Sequence, residues 1–281
     1  MMEVVAGILV WLNSAANVFG RILLAPIAVL PGWLSATLVA AVTGVLLLVI
    51  FKYTSNQVAI KRVRDEINAN LLALKLFKDS ARVAIVSQGR VFGGAFKLMV
   101  LALVPILVMA LPVCLVLGQL SLWYQLRPLQ VGEQAVITLS LNQSQSPSWP
   151  SVSLAPSTAI EVVTGPVRVL SKREVCWDVK ALQQGSHRLD FQVGDQTAAK
   201  EFAIGDGFMR VSKLRPGWHF TDILENPGEP PFRPDSPVQS IDIDYPARSS
   251  WNSGTNWWVI YWFVVSFIAA FCFHRPLKVN V

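Results

Sequence analysis

Asp242 and Asp244 come closest to a chemical constellation in this 281-residue chain. Alternate residues of a strand share a face, so the run Ser240-Ile241-Asp242-Ile243-Asp244-Tyr245 would hold both carboxylates side by side. A calcium ion takes about six to eight oxygen ligands, and two acids on one strand ordinarily just face water. His187, His219 and His274 are scattered, with no metal-ligand spacing. Of the three cysteines, Cys114 and Cys272 fall in apolar runs, which leaves Cys176 without a disulfide partner in the polar part of the chain. No GxSxG, HExxH, Walker loop or CxxC occurs. A hydrolase, a pump or a redox enzyme would need a nucleophile, an intramembrane carboxylate or a metal set. The expectation is therefore no enzyme, with no catalytic residue, metal or cofactor.

The elements that carry these residues are set by hydropathy. Apolar residues make up 53% of the chain and charged residues 15%, against about 25% charged in an ordinary soluble domain. The deficit lies in three uncharged runs: Leu34 to Phe51, Leu98 to Tyr124 and Trp257 to Phe273. A bilayer-crossing helix needs about 20 residues. Each run qualifies, the last with help from Thr255 and Asn256.

Charge orients them. Nine basic residues stand against three acidic ones between the first two runs, whereas 124–256 holds 12 basic and 14 acidic residues. Lys and Arg collect on the cytoplasmic side of short loops. Residues 52–97 and the tail 274–281 are expected inside, and the N-terminus and 124–256 outside. The net charge of +6 is then an inside-loop effect, with no specific nucleic acid implied.

Before the first run, Asn13, Asn17 and Arg21 recur every four residues, with Val5, Leu12, Phe19 and Leu23 opposite. Residues 1–31 are read as an amphipathic helix lying in the membrane interface. A fourth span is the alternative, which parity disfavours. Residues 55–78 have helical periodicity at Ile60, Val63, Ile67, Leu71 and Leu74. A turn at Lys78-Asp79-Ser80 would start a second helix, giving a basic cytoplasmic hairpin, coiled-coil-like, that presents Lys61, Arg62, Arg64, Lys75, Lys78 and Arg82. One surface helix on anionic lipid is the plainer reading.

From Gly132 the period changes to two. Strands are expected at 135–141, 151–154, 160–163, 167–170, 175–180, 187–193 and 199–204, which suggests an antiparallel, Ig-like β-sandwich. Trp177 is placed in its core in preference to a carbohydrate-stacking position. Seven prolines between Pro216 and Pro246 exclude a regular helix from that segment and leave one further strand at 240–245.

The fold class expected is a membrane protein of α + β type, with three transmembrane helices, a cytoplasmic helical hairpin and an extracytoplasmic Ig-like β-sandwich. Its parts are the interfacial helix 1–31, transmembrane 1 at 32–51, the hairpin 52–97, transmembrane 2 at 98–123, the sandwich 124–205, a Pro-rich segment 206–255, transmembrane 3 at 256–273 and the tail 274–281.

This order, with Phe51-Lys52-Tyr53-Thr54-Ser55-Asn56-Gln57 leading into a helix near Val58, resembles the three-span core of the YidC/Oxa-type membrane-protein insertases. Its archaeal YidC-like branch and the insertase subunit of the ER membrane complex are the members meant. The likeness covers 5–122 and 256–275. It implies a groove between the spans that receives hydrophobic segments of nascent membrane proteins or other membrane subunits, with the basic hairpin meeting the incoming segment or the ribosome. The groove candidates are Ser35, Thr43, Met99, Met109, Gln119 and Ser266. The implied location is a bacterial inner membrane, with the chain multi-pass and in contact with the lipid bilayer. The groove arginine of bacterial members has no match here, since Arg21 falls in the outer helix. The inserted β domain is a further departure. The competing reading is a membrane-anchored scaffold whose periplasmic sandwich contacts a partner in a larger complex.

Overall fold

A computed structural model describes residues 2–77, 81–142, 149–249, 257–277 and 279. Six α-helices are present among them: α1 (Met2–Leu23), α2 (Gly32–Thr54), α3 (Gln57–Leu76), α4 (Ala81–Tyr124), α5 (Phe220–Glu225) and α6 (Trp257–Phe273). The expected turn at 78–80, and Trp251, Thr255 and Asn256, lie outside the described residues.

α1, α2 and α4 are long and apolar enough to cross a membrane. α6 is a shorter apolar helix of 17 residues. The sequence pattern puts the last run among the spans and the first helix in the interface. Length and composition alone rank these two the other way.

α4 also corrects a boundary. The second arm of the expected hairpin and the second span form one 44-residue helix, about 66 Å long at 1.5 Å per residue. Neither Pro105 nor Pro112 ends it. α3 begins where the sequence suggests. Asn56 caps it, its side-chain oxygen accepting from the Ala59 amide at 3.0 Å, which satisfies one of the free first-turn donors.

Chain contacts separate two units, Met1–Ala36 with Cys114–Ile260, and Thr37–Val113 with Tyr261–Val281. The first, the β unit, is built on two antiparallel sheets. One has the strand order β3 (Ile160–Val169), β4 (Glu174–Ala181), β1 (Gln134–Leu141), β8 (Val238–Ile243) and β7 (Leu214–Arg215). The other has β2 (Val152–Leu154), β5 (Gly185–Val193) and β6 (Gln196–Ile204). Strict alternation in β1 and β4 turns Ile137, Leu139, Val175, Trp177 and Val179 inward. There they share one core with Leu189, Phe191 and Phe202 of the smaller sheet. Trp177 is 2% exposed, and its ring lies 5.4 Å from that of Phe191, a filling role with no face left for a sugar.

Two local expectations change. The segments 160–163 and 167–170 form one strand, β3, rather than two. Gly165, at φ +131°, carries the chain through the irregularity, and the register against β4 slips on either side of Thr164. A side chain there would press on Trp177 and the Cys176 carbonyl. The proline-rich segment does hold a helix. α5 fits in the proline-free gap between Pro216 and Pro227, where no ring interrupts the backbone bonds. The further strand expected at 240–245 is β8 (Val238–Ile243), inside its sheet between β1 and β7.

In the second, helical unit, α3 meets the first part of α4 where Gly94 faces Ile67 and Val63.

Candidate functional site

In the helical unit α2 and α6 are joined by small and polar side chains. The Thr43 hydroxyl donates to the Val39 and Ala40 carbonyls at 2.9 and 3.0 Å and accepts from the Trp262 indole N–H at 2.9 Å. Ser266 donates to the Ala40 carbonyl at 2.8 Å. Gly44 lies so close to Ser266 that a Cβ would strike its backbone. Small residues and shared hydroxyls are how helices associate in lipid, where burial of apolar surface gives no drive.

Beside this seam is a cavity of about 340 Å³ whose lining is almost wholly apolar. Leu47, Leu48 and Phe51 of α2, Met109 and Val113 of α4, and Phe263, Phe267 and Ala270 of α6 surround it. Gly44, Trp262 and Ser266 close the side next to the seam. A cavity of this size and polarity accepts large apolar side chains, and the Met109 thioether can adapt to their shape.

The structure brings together three of the six groove candidates: Met109 and Ser266 in the wall, and Thr43 through its bond to Trp262. It places the others elsewhere. Ser35 belongs to the β unit, donating to the Gly32 carbonyl at 3.0 Å and accepting from the Tyr124 hydroxyl at 3.1 Å. Gln119, also in the β unit, donates to Asn17 at 2.9 Å. Met99 is exposed on α4. Of the basic hairpin residues, Lys61, Arg62, Lys75 and Arg82 are exposed and Arg64 is half-buried, while Lys78 lies outside the described residues.

The β unit contains a charged cluster that the sequence reading missed. Lys200 on β6 is fully buried. Its ammonium is paired with Glu229 and donates to the Ser212 carbonyl at 2.6 Å. Glu229 also accepts from the Ser212 hydroxyl at 2.7 Å and the Glu201 amide at 3.0 Å. Burial pulls the Lys200 ammonium below its ordinary range, and the Glu229 carboxylate opposes that shift. Nearby, Arg210 donates to Glu201 at 3.2 Å, to Asn17 at 2.9 Å and to the Gly228 carbonyl at 2.7 Å. Burial lowers its pKa too, with the charge of Glu201 acting the other way.

This cluster receives the polar stripe of α1. Asn13 donates to the Ile223 carbonyl at 2.8 Å, Asn17 to the Pro227 carbonyl at 2.7 Å, and Arg21 pairs with Glu201 at 2.9 Å. Ala6 and Leu9 pack on Ile223. The apolar side of α1, with Ile8, Trp11, Val18, Phe19 and Ile22, is left exposed. The sequence did carry a signal for Lys200: period two puts it on the same face of β6 as Phe202 and Ile204.

Asp242 lies in β8 and Asp244 just past its end. Among the described residues no group of three or more His, Cys, Asp or Glu is placed to hold a metal. Burial raises the Asp242 carboxyl above its ordinary range, against the attraction of Lys213 and Lys200. No family model, curated protein or solved structure matches this chain.

Proposed function

We propose that this chain is an insertase-like protein of a bacterial inner membrane, which helps insert or assemble other membrane proteins through a groove between its spans. The observation that carries the reading is the apolar cavity bounded by α2, α4 and α6. In this reading those three helices cross the bilayer, with the N-terminus outside and the C-terminus inside. α4 exceeds the roughly 30 Å hydrocarbon core by enough to supply one arm of a cytoplasmic hairpin with α3. The hairpin's basic residues meet the ribosome or the client.

α1 stays in the outer interface, because its polar stripe is bonded to the β unit and its apolar side is free for lipid. The β unit, an immunoglobulin-like module in this reading, stands outside. The cavity offers a client helix packing contacts in place of a polar lining, since Thr43 and Ser266 are already engaged in holding α2 to α6.

A second reading is a membrane-anchored scaffold whose β module contacts a partner subunit. The internal bonding of Ser35, Thr43, Gln119 and Ser266 favours it, because a scaffold needs closed spans. Photoreactive residues at positions 48, 109 and 267 separate the two during synthesis of a short-tailed membrane protein. Adducts with the nascent span support insertion. Adducts with lipid or with constant subunits alone would overturn it in favour of the scaffold.

A further inference from the structure

The β unit has a second cavity, of about 650 Å³, at the end of the larger sheet. Its wall combines side chains from three parts of the chain: Glu3 of α1; Trp218, His219 and Phe220 at the start of α5; and Arg233 and Gln239 beside β8. Polar and apolar surface are mixed there, unlike the greasy cavity of the helical unit. Arg233 and His219 are both exposed. Neither side chain makes a hydrogen bond or ion pair with another described residue, the backbone carbonyls alone accepting from the Ser236 and Ile223 amides, although the arginines of the neighbouring cluster, Arg210 and Arg215, are bonded within the protein. Phe220 is 44% exposed, and Trp218 is half-buried beside it.

We propose that this cleft binds a small carboxylate ligand with a ring or apolar body. A free guanidinium presents a planar fork of donors that matches a carboxylate two bonds at a time. The His219 imidazole and Gln239 amide add donors and acceptors around it. Trp218 and Phe220 supply flat surface for the body of the ligand. A cavity of several hundred Å³ with a few convergent polar groups is the usual form of a small-molecule site. Glu3, on the α1 wall, disfavours ligands carrying more than one negative charge. The cleft is separate from the client cavity, and the proposal stands whether or not that cavity binds clients.

Two sources of this chemistry are distinguishable: an acidic sugar and an acylated peptide. The full chain, reconstituted in lipid nanodiscs, would be titrated calorimetrically with a uronic-acid disaccharide and, separately, with an N-acetyl dipeptide ending in a free carboxylate. One of them is expected to bind. Arg233→Ala should then weaken that binding about tenfold or more, the scale of a lost charge-assisted pair, and Trp218→Ala should weaken it as well. Arg233 touches no other side chain through a polar bond, so Arg233→Ala should unfold at the temperature of the parent protein. The proposal is overturned if neither ligand binds at millimolar concentration, or if binding is unchanged in both variants.

Discussion

Asn17 of α1 and Arg210 of the β unit are joined by a 2.9 Å hydrogen bond across 193 residues of chain. The same Asn17 oxygen accepts from Gln119 at 2.9 Å, and its amide donates to the Pro227 carbonyl. One short polar side chain thus ties the first helix, the end of α4 and the proline-rich segment together. Asn17→Ala would leave donors of Arg210 and Gln119 without this partner. The expected loss is about 1–3 kcal/mol, read as a lower unfolding temperature of the detergent-solubilised protein and faster proteolysis near residue 24. An unchanged protein would mean that α1 is not held in this way.

The Lys200–Glu229 pair predicts a non-additive result. Lys200→Met strands a buried carboxylate and should cost about 3–5 kcal/mol. The double variant Lys200→Met, Glu229→Gln removes both charges and keeps one acceptor oxygen, enough for either the Ser212 hydroxyl or the Glu201 amide. It should therefore be more stable than the single variant, as a chemical-denaturation double-mutant cycle would show.

Asp242 gives a pH dependence. Burial raises its carboxyl pKa, so between its unfolded value and the raised folded one the native chain binds more protons. Its contribution to stability falls as pH rises through that window. Asp242→Asn should be more stable than the parent at pH 7, and the difference should vanish below about pH 4. A gain that is constant with pH would rule out the carboxylate's charge as the cause.

Gly44 and Gly89 form a matched pair in the helical unit. Gly44→Ala drives a Cβ into the Ser266 backbone, whereas a Cβ at Gly89 meets nothing within 4 Å. The first substitution should destabilise the α2 and α6 seam by about 1–3 kcal/mol. The second should leave stability equal or slightly higher, since alanine suits a helix better. Thermal unfolding in detergent would compare them.

Much of this arrangement is legible in the residues themselves. Alternation places Trp177 and the β1 and β4 core, and uncharged length marks α2, α6 and the second part of α4, but not α1 with its Glu3 and Arg21. Pairing across the chain is not written locally. The stripe Asn13, Asn17, Arg21 reads as a face that wants water or headgroups, and only the fold supplies the Ile223 and Pro227 carbonyls that take two of its members. Lys200 lay on an apolar parity, but its partner Glu229 sits 29 residues on in a proline-rich segment with no period. Of the groove candidates, Ser35, Thr43, Gln119 and Ser266 bond to neighbours, although Ser266 also lines the cavity. Of the two methionines, Met109 faces the cavity and Met99 is exposed. Continuity of α4 past Lys97 was missed because charge marks a membrane edge and not a helix end.

In the proposed arrangement α2, α4 and α6 cross a bilayer, with the hairpin and the β unit on opposite sides. Single cysteines at Arg62 and Asp195, both exposed, in a chain freed of Cys114, Cys176 and Cys272, test it with a membrane-impermeant maleimide on intact cells. Asp195→Cys should be labelled from outside and Arg62→Cys only after the membrane is opened. Labelling of both from one side would contradict the crossing, and the reverse pattern would contradict the orientation on which the insertase reading rests.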